Sequence, residues 1–261
     1  MLQLKPVDFS TGFFLHNLMM NHNLLFSLLL INAQLIVGQE KNITEYLPKN
    51  TEYLIYHDDW GKNNYKKLLN QFNSDPLNSG EIIFLGNSIT AEGKDWSTRL
   101  NNSIIRNRGI GGDTTDGVLA RSGEIIDSNP TAVFLLIGIN DLYNNTIETP
   151  SENYIANNII NIAKKIKTSS VNTKVFIQTL LPISKKKSRK FYKLYNQSIK
   201  NINKIIIENQ EKEMYSVIDL YSIFVNNKGQ LKNDLTYDGL HLNKKGYEVW
   251  SKFIKPITDS L

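Results

Sequence analysis

Residues 81–88 read EIIFLGNS, an uninterrupted apolar run that ends in a glycine and is followed by a polar turn. Such a run is typical of a strand that is buried on both faces, as in a parallel sheet. Four further short runs are also predicted to be strands: SIIR at 103–106, AVFLLIG at 132–138, KVFIQT at 174–179 and SVIDL at 216–220.

The segments between these runs have the spacing of amphipathic helices. In one of them, four isoleucines between 155 and 166 fall on a single helical face, and similar stripes lie at 191–206 and 250–257. The sequence TPSE at 149–152, with Thr149 as the capping residue, predicts the start of the first of these helices. Strands that alternate with one-faced helices predict an α/β fold with a parallel sheet covered on both sides. Functional groups in this fold gather beyond the carboxyl ends of the strands.

Composition narrows the possible classes of function. The 261 residues suit one large α/β domain, and no internal repeat or long linker divides the chain. Because there is no cysteine, disulfide scaffolds, cysteine nucleophiles and thiolate metal sites are excluded. The formal net charge of +5 is mild and spread along the chain, so no nucleic-acid partner is expected.

The N-terminal residues predict a leader. The stretch LLFSLLLINAQLIV at 24–37 carries no charge and suits the apolar region of an export signal, although it is short for a membrane span. We therefore expect residues 1–38 to be a leader, 39–78 an N-terminal helical extension that packs on the flank of the sheet, and 79–261 the main domain. A cleaved leader implies export to a bacterial periplasm or the extracellular space, with no stable membrane span afterwards. An uncleaved membrane anchor and a buried core helix are the alternatives.

The first predicted strand is followed by a candidate nucleophile. Ser88 lies on a tight turn that leaves the strand, two residues after Gly86, and a serine in that place has an exposed hydroxyl. A helix-capping serine is the alternative interpretation. Position 90 is Thr rather than the second glycine of a G-x-S-x-G turn, which argues against the α/β-hydrolase fold.

Two further loops carry candidate hydrogen-bond donors. The GIGGDTT sequence at 109–115 allows backbone N–H groups to face a ligand at a helix start, but it lacks the Lys-Ser/Thr of a phosphate-binding loop. Asn140, in the GIND sequence at 138–141, carries a side chain that can donate to a developing oxyanion. An Asx turn is the alternative role for Asn140.

A candidate base lies near the C-terminus, in the DGLH sequence at 238–241. Asp238 and His241 are spaced so that the carboxylate can bind one imidazole nitrogen and leave the other free to take a proton. Of the four histidines, His16 and His22 lie in the predicted leader and His57 precedes the first strand. Only His241 falls in a loop at the predicted functional edge.

Together, these four blocks resemble the SGNH/GDSL hydrolase family of serine esterases. The runs NRGIGGDTT at 107–115 and DGLHLNKKGY at 238–247 are closest to the branch of platelet-activating-factor acetylhydrolase subunits and carbohydrate acetylesterases. The resemblance implies a three-layer α/β/α, flavodoxin-like fold with a central five-stranded parallel sheet. It implies a catalytic triad of Ser88, His241 and Asp238, and an oxyanion hole formed by Ser88, Gly112 and Asn140.

One position departs from the family pattern: Asn87 stands where the family has aspartate, and we expect this to affect geometry rather than chemistry. The resemblance implies an esterase that needs no cofactor or metal and removes short acyl groups, above all acetyl groups on carbohydrate. The alternatives are a lysophospholipase or thioesterase that acts on longer acyl chains, and a non-catalytic glycan-binding domain. The basic loop SKKKSRK at 184–190 is either a solvated surface loop or a site that attracts an anionic substrate.

Overall fold

The central sheet has five strands, and all of its pairings are parallel. The computed structural model describes residues 54–143, 149–187 and 194–261. In spatial order the strands run β2-β1-β3-β4-β5, with β3 in the middle of the sheet and β2 and β5 at its edges. Their bounds are Ile82–Gly86 (β1), Ile105–Gly109 (β2), Ala132–Leu136 (β3), Lys174–Gln178 (β4) and Ser216–Ile218 (β5). The prediction of an α/β fold with a five-stranded parallel sheet is confirmed.

The second strand lies further along the chain than predicted. The predicted run 103–106 ends at the first arginine, whereas β2 continues through Arg108 to Gly109. Arg108 enters the protein interior because its guanidinium is paired with Glu124, with Nη2 2.9 Å from Oε1. A buried ion pair of this kind cannot be recognised from hydrophobic spacing alone.

Helices cover both faces of the sheet. Their bounds are Asp59–Asn73 (α1), Ser88–Ala91 (α2), Trp96–Leu100 (α3), Thr115–Ala120 (α4), Ser122–Asp127 (α5), Glu152–Ser169 (α6), Asn196–Glu208 (α7), Leu220–Phe224 (α8) and Lys244–Thr258 (α9). Helices α4 and α5 pack with α6, and α6 packs with α7, while α9 packs with α3. The predicted cap of α6 was wrong by two residues: Ser151 rather than Thr149 accepts the N–H of Tyr154. Ser151 directly precedes the first helical residue, which is the position where a short hydroxyl reaches that N–H.

A row of stacked aromatic rings forms part of the core. Phe84, Phe134 and Phe176 occupy matching positions on three neighbouring strands, with ring centroids 4.9 and 4.8 Å apart. Trp96 of α3 stacks on Phe84 at 4.5 Å, and Trp250 of α9 meets Trp96 edge-on at 4.8 Å. Large aromatic surfaces that are buried together contribute strongly to stability, so this row joins α3 and α9 to one face of the sheet.

The part of the predicted N-terminal extension that the structure describes, residues 54–78, contains α1. Tyr65 and Leu69 of α1 are buried with Ile110, which directly follows β2. The Tyr65 hydroxyl donates to the carbonyl of Gly117 in α4, 2.8 Å away. The helix therefore contacts the loop beyond the carboxyl end of β2.

The predicted leader, residues 1–38, lies outside the described residues. Within 54–143, 149–187 and 194–261, no helix has the length and apolar character needed to cross a membrane.

Asp141, which follows β3, holds the start of α4. Its carboxylate is completely buried and accepts the backbone N–H of Thr115 at 3.1 Å and the Thr115 hydroxyl at 2.5 Å. Burial raises the pKa of the Asp141 carboxyl to about 7, although the hydrogen bonds from Thr115 oppose that shift. The native protein therefore retains a proton that the unfolded chain loses near pH 4.

This difference gives a prediction for stability. As pH rises from about 4 to about 7, the unfolded state binds fewer protons than the native state, so Asp141 makes the native state progressively less stable. Relative to Asp141→Asn, the wild-type free energy of unfolding should fall by about 1 kcal/mol per pH unit over that range. Below about pH 4 and above about pH 7, the difference in the free energy of unfolding between the two proteins should stay constant. Urea unfolding of both proteins at several pH values measures the difference, and parallel profiles throughout would contradict the shift.

Candidate active site

Ser88 lies where β1 ends and α2 begins. Asn87 is buried and caps α2, because its Oδ1 accepts the N–H of Ile89 at 3.0 Å. The capping role considered for Ser88 therefore belongs to Asn87, and the Ser88 hydroxyl is directed elsewhere. The amide of Asn87 offers the same type of acceptor that an aspartate would offer to this helix, without the negative charge.

Two contacts fix the turn that carries Ser88. Gly86 packs so tightly against β3 that an added Cβ would lie only 2.2 Å from the carbonyl oxygen of Leu136. In addition, the hydroxyl of Tyr247 in α9 donates to the carbonyl of Ile89 at 2.7 Å. A glycine is therefore required at position 86, because there is no room for a side chain. Helix α9 holds the short helix that begins at Ser88.

A continuous chain of hydrogen bonds joins Ser88, His241 and Asp238. The Ser88 Oγ lies 2.9 Å from Nε2 of His241, and Nδ1 of the same ring lies 2.7 Å from Oδ2 of Asp238. The side chain of His241 is mostly buried, with an exposed fraction of 17%. The structure therefore brings the Ser88 hydroxyl and the His241 imidazole within the distance over which a proton can be shared.

The carboxylate of Asp238 is held by the backbone of its own loop. Its Oδ1 accepts the N–H groups of Leu240 and His241, at 2.9 and 2.8 Å, which leaves Oδ2 directed at the imidazole. Partial burial alone would raise the pKa of the Asp238 carboxyl, but the hydrogen bonds from the His241 ring and from these N–H groups outweigh it and lower the pKa. Asp238 is therefore ionised at neutral pH and favours the tautomer of His241 that carries its proton on Nδ1.

Gly112 and Asn140 lie on loops that are joined to each other. The Asn140 Nδ2 donates to the carbonyl of Asp113 at 2.8 Å. Gly112 has a φ of +83°, and a Cβ there would lie 3.2 Å from Gly61 and from the Trp60 ring, so only glycine fits without strain. The loops after β2 and β3 therefore form one unit at the edge of the sheet that carries Ser88.

A buried charged network supports this unit. The Asp113 carboxylate lies 3.2 Å from Nε2 of His57 and 2.9 Å from Nε of Arg121, and all three side chains are almost completely buried. Arg121 also donates to the carbonyl of Gly86 at 3.1 Å. The network thus connects the loop after β2 to the end of β1 and to the segment that precedes α1.

His57 precedes the first strand in the sequence, so the sequence does not predict it to lie near the site. The structure brings it to the loop after β2, where its ring lies within hydrogen-bond distance of the Asp113 carboxylate and of the Thr114 hydroxyl. Its spacing from Asp113, 56 residues, leaves no motif in the sequence. The sequence gives only an indirect signal for the role of His57. Asp113 and Arg121 are charged residues in a glycine-rich and apolar region, and charged side chains that are buried there need partners.

The basic loop has internal bonding partners. The Lys187 Nζ donates to the carbonyls of Asn233 and Thr236, each at 2.8 Å. The Lys185 Nζ bonds to the carbonyl of Leu194 and lies 4.6 Å from the centre of the Tyr195 ring. These contacts favour a structural role for the described part of the loop.

Within the described ranges, no three His, Asp or Glu side chains are grouped as ligands for a metal ion.

The Asp113 network predicts that His57 is a positioning residue. His57→Ala removes one partner of a buried carboxylate and loosens the loop that carries Gly112, so kcat for an ester substrate should fall about tenfold with little change in KM. His57→Gln keeps a side-chain N–H donor and should recover part of the loss. Asp59→Ala changes an exposed residue nearby and should match the wild type. Equal kcat values for wild type and His57→Ala would contradict this role.

The fold matches solved acylhydrolase structures. A protein of Bacteroides fragilis assigned as an acylhydrolase is 25% identical, with a TM-score of 0.66, over 78% of this chain and 98% of the other. A GDSL-like lipase of Bacteroides thetaiotaomicron is 24% identical, with a TM-score of 0.65, over 76% of this chain and 98% of the other. An acetyl xylan esterase is 21% identical, with a TM-score of 0.55, over 69% of this chain and all of the other.

The sequence comparison agrees with these structural matches. No curated protein matches the sequence. The family model of the GDSL-like lipases and acylhydrolases matches residues 84–249, a range that contains Ser88, Asn140 and His241. Hydrolysis of an ester bond is the activity that this match supports. The chain belongs to the GDSL-like lipase/acylhydrolase family.

Proposed function

We propose that the protein is a serine esterase that removes short acyl groups, above all acetyl groups on carbohydrate, through an acyl-enzyme. The observation that carries this proposal is the hydrogen-bonded chain from the Ser88 hydroxyl through His241 to the ionised Asp238. A serine hydroxyl is a weak nucleophile at neutral pH, and a neighbouring imidazole with a free nitrogen lone pair is the usual means of activating it.

In the first step, the Ser88 Oγ attacks the carbonyl carbon of the ester and passes its proton to Nε2 of His241. Asp238 keeps the Nδ1 proton in place and stabilises the imidazolium. The tetrahedral intermediate then collapses: the bond to the alcohol oxygen breaks, and the Nε2 proton moves to that oxygen. The products of this step are a free alcohol and an acyl group on Ser88.

The negative charge on the carbonyl oxygen requires donors that are already in place. We assign this role to the backbone N–H of Ser88, the backbone N–H of Gly112 and the side chain of Asn140. One N–H of Asn140 is bound to the carbonyl of Asp113, which orients the amide so that the other can meet the oxyanion. Each fixed donor of this kind contributes on the order of 10²–10³ to the rate.

In the second step, water replaces the alcohol. His241 takes a proton from the water as its oxygen attacks the acyl carbon, and it then returns a proton to the Ser88 Oγ as the carboxylic acid leaves. Each step uses only protein groups and water. The cycle ends with the hydroxyl, the neutral imidazole and the ionised carboxylate restored.

The preference for acetylated carbohydrate rests on the sequence resemblance to carbohydrate acetylesterases, and the fold shared with an acetyl xylan esterase is compatible with it. We also propose that residues 1–38 direct the protein out of the cytoplasm. In the periplasm or the extracellular space, polymeric carbohydrate would be accessible to it. Acetate release from a panel of acetylated glycans, with Ser88→Ala as the control, tests the substrate class directly.

The assignment of the nucleophile predicts the effect of removing one oxygen atom. Ser88→Ala should lower kcat for p-nitrophenyl acetate by at least about 10⁴-fold, because it removes the oxygen atom that forms the acyl-enzyme. The circular dichroism spectrum should not change, since Asn87 rather than Ser88 caps α2. Retention of most of the activity in a folded variant would refute the assignment.

The short-acyl preference predicts a chain-length profile. A pocket that fits an acetyl methyl group rejects added methylenes at a cost of about 1–3 kcal/mol each until the chain finds another surface. With p-nitrophenyl esters of increasing acyl length, kcat/KM should therefore fall at least about tenfold between acetate and octanoate. A rise with acyl length would instead favour a lysophospholipase or thioesterase.

A further inference from the structure

Glu92 lies beside the imidazole nitrogen that faces Ser88. It directly follows α2, and its backbone N–H donates to the carbonyl of Ser88 at 2.8 Å. Its Oε1 lies 3.8 Å from Nε2 of His241, the same nitrogen that bonds to the Ser88 hydroxyl. Asp238 therefore occupies one side of the imidazole and Glu92 the other.

Tyr237 holds the Glu92 carboxylate in this place. Its hydroxyl donates to Oε2 of Glu92 at 3.0 Å, and its ring is nearly parallel to that of His241, with centroids 5.8 Å apart and an angle of 11°. Partial burial, together with the carboxylates of Glu92 and Asp238, raises the pKa of the Tyr237 phenol, which therefore remains a donor. One oxygen of Glu92 is thus engaged, and the other faces His241.

The proposed mechanism defines what occupies the space next to Nε2. The alcohol oxygen takes its proton from that nitrogen, so it lies within hydrogen-bond distance of Nε2 when the ester bond breaks. A carboxylate oxygen 3.8 Å from Nε2 is then at most about 7 Å from the alcohol oxygen, a distance that a substituent on the neighbouring carbon can bridge by a hydrogen bond. The Glu92 side chain has an exposed fraction of 39%, so a bound molecule can reach it.

We propose that Glu92, oriented by Tyr237, is the alcohol-binding residue of the esterase and selects alcohols that carry a hydroxyl group next to the ester oxygen. This inference rests on the proposed function and identifies the class of alcohol. A neighbouring hydroxyl donates to the carboxylate and replaces the water that the carboxylate loses when the substrate binds. An alcohol without such a donor leaves Oε1 desolvated with no hydrogen bond to replace its water, and an anionic group there is repelled.

The consequence is a preference for sugar-like diols over phosphate-bearing alcohols. Carbohydrate esters commonly carry a free hydroxyl on the carbon next to the acylated one. A lysophospholipid ester carries such a hydroxyl as well, but it also carries a phosphate close to the ester, so repulsion of the phosphate by Glu92 separates the two classes. The positive net charge of the chain does not reverse this preference, because a charge in contact with the substrate outweighs distant charges that salt screens.

Three small acetate esters test the inference. 2-Hydroxyethyl acetate has the neighbouring hydroxyl, 2-methoxyethyl acetate replaces its proton with a methyl group, and acetoxyacetate has a carboxylate in the same region. For the wild type, kcat/KM should be about tenfold higher for the hydroxy ester than for the methoxy ester, and lower still for the anionic ester.

Two substitutions separate the hydrogen bond from the charge. Glu92→Ala removes the acceptor and should bring the hydroxy and methoxy esters within about twofold of each other. Glu92→Gln keeps an acceptor oxygen but removes the charge, and should raise kcat/KM for acetoxyacetate about tenfold while keeping the preference for the hydroxy ester. Glu213→Gln removes an equal charge from an exposed position elsewhere and should leave all three values unchanged.

Contrary outcomes are distinguishable. If Glu92→Gln lowers kcat equally for all three esters, Glu92 acts only on the His241 charge and the inference is wrong. If the wild type hydrolyses the esters with ratios that Glu92→Ala and Glu92→Gln leave unchanged, the inference fails while the proposed function stands. If the wild type hydrolyses none of these esters and no p-nitrophenyl acetate, the proposed function fails and the inference fails with it.

Discussion

The hydrogen bond between the Ser88 hydroxyl and Nε2 of His241 forms only when strand β1, the loop before α9 and helix α9 are all in place. It joins residues that are 153 positions apart in the chain. The carboxyl end of β1 fixes one partner, and the loop before α9 fixes the other through Asp238 and through the Thr236 hydroxyl, which donates to the carbonyl of His241 at 2.6 Å. Tyr247 of α9 then binds the helix that carries Ser88. A shift of any of these elements would separate the proton donor from its acceptor.

Buried carboxylates hold the loops around this bond. Asp113 connects the loop after β2 to Arg121 and His57, while Asp141 holds the first turn of α4. Both are removed from water, so each requires several donors. The donors to Asp113 come from two separate segments, whereas both donors to Asp141 belong to Thr115. Glu92 differs because one of its oxygens faces the space where the substrate alcohol would lie. A carboxyl group therefore serves as a structural link at Asp113 and Asp141 and as the proposed substrate contact at Glu92.

The sheet and the Ser88, Asp238 and His241 loops could be predicted because their signals are local. Apolar runs mark the strands, and Asp238 and His241 are only three residues apart. The end of β2 and the role of His57 could not be predicted, because both depend on ion pairs with partners far along the chain, Glu124 and Asp113. The position of Glu92 beside His241 could not be predicted for the same reason, because it follows from the folding of two separate loops. Motif spacing identifies groups within one loop, whereas contacts between loops require the structure.

The most direct measurement of the central claim is covalent labelling with a fluorophosphonate, which reacts with a serine only when a neighbouring base activates it. Mass spectrometry of the labelled chain should give one adduct per molecule, located on Ser88. The labelling rate should fall sharply in a folded His241→Ala variant, because the hydroxyl then has no proton acceptor. Absence of labelling in the folded wild-type protein, or an adduct at another residue, would contradict the account.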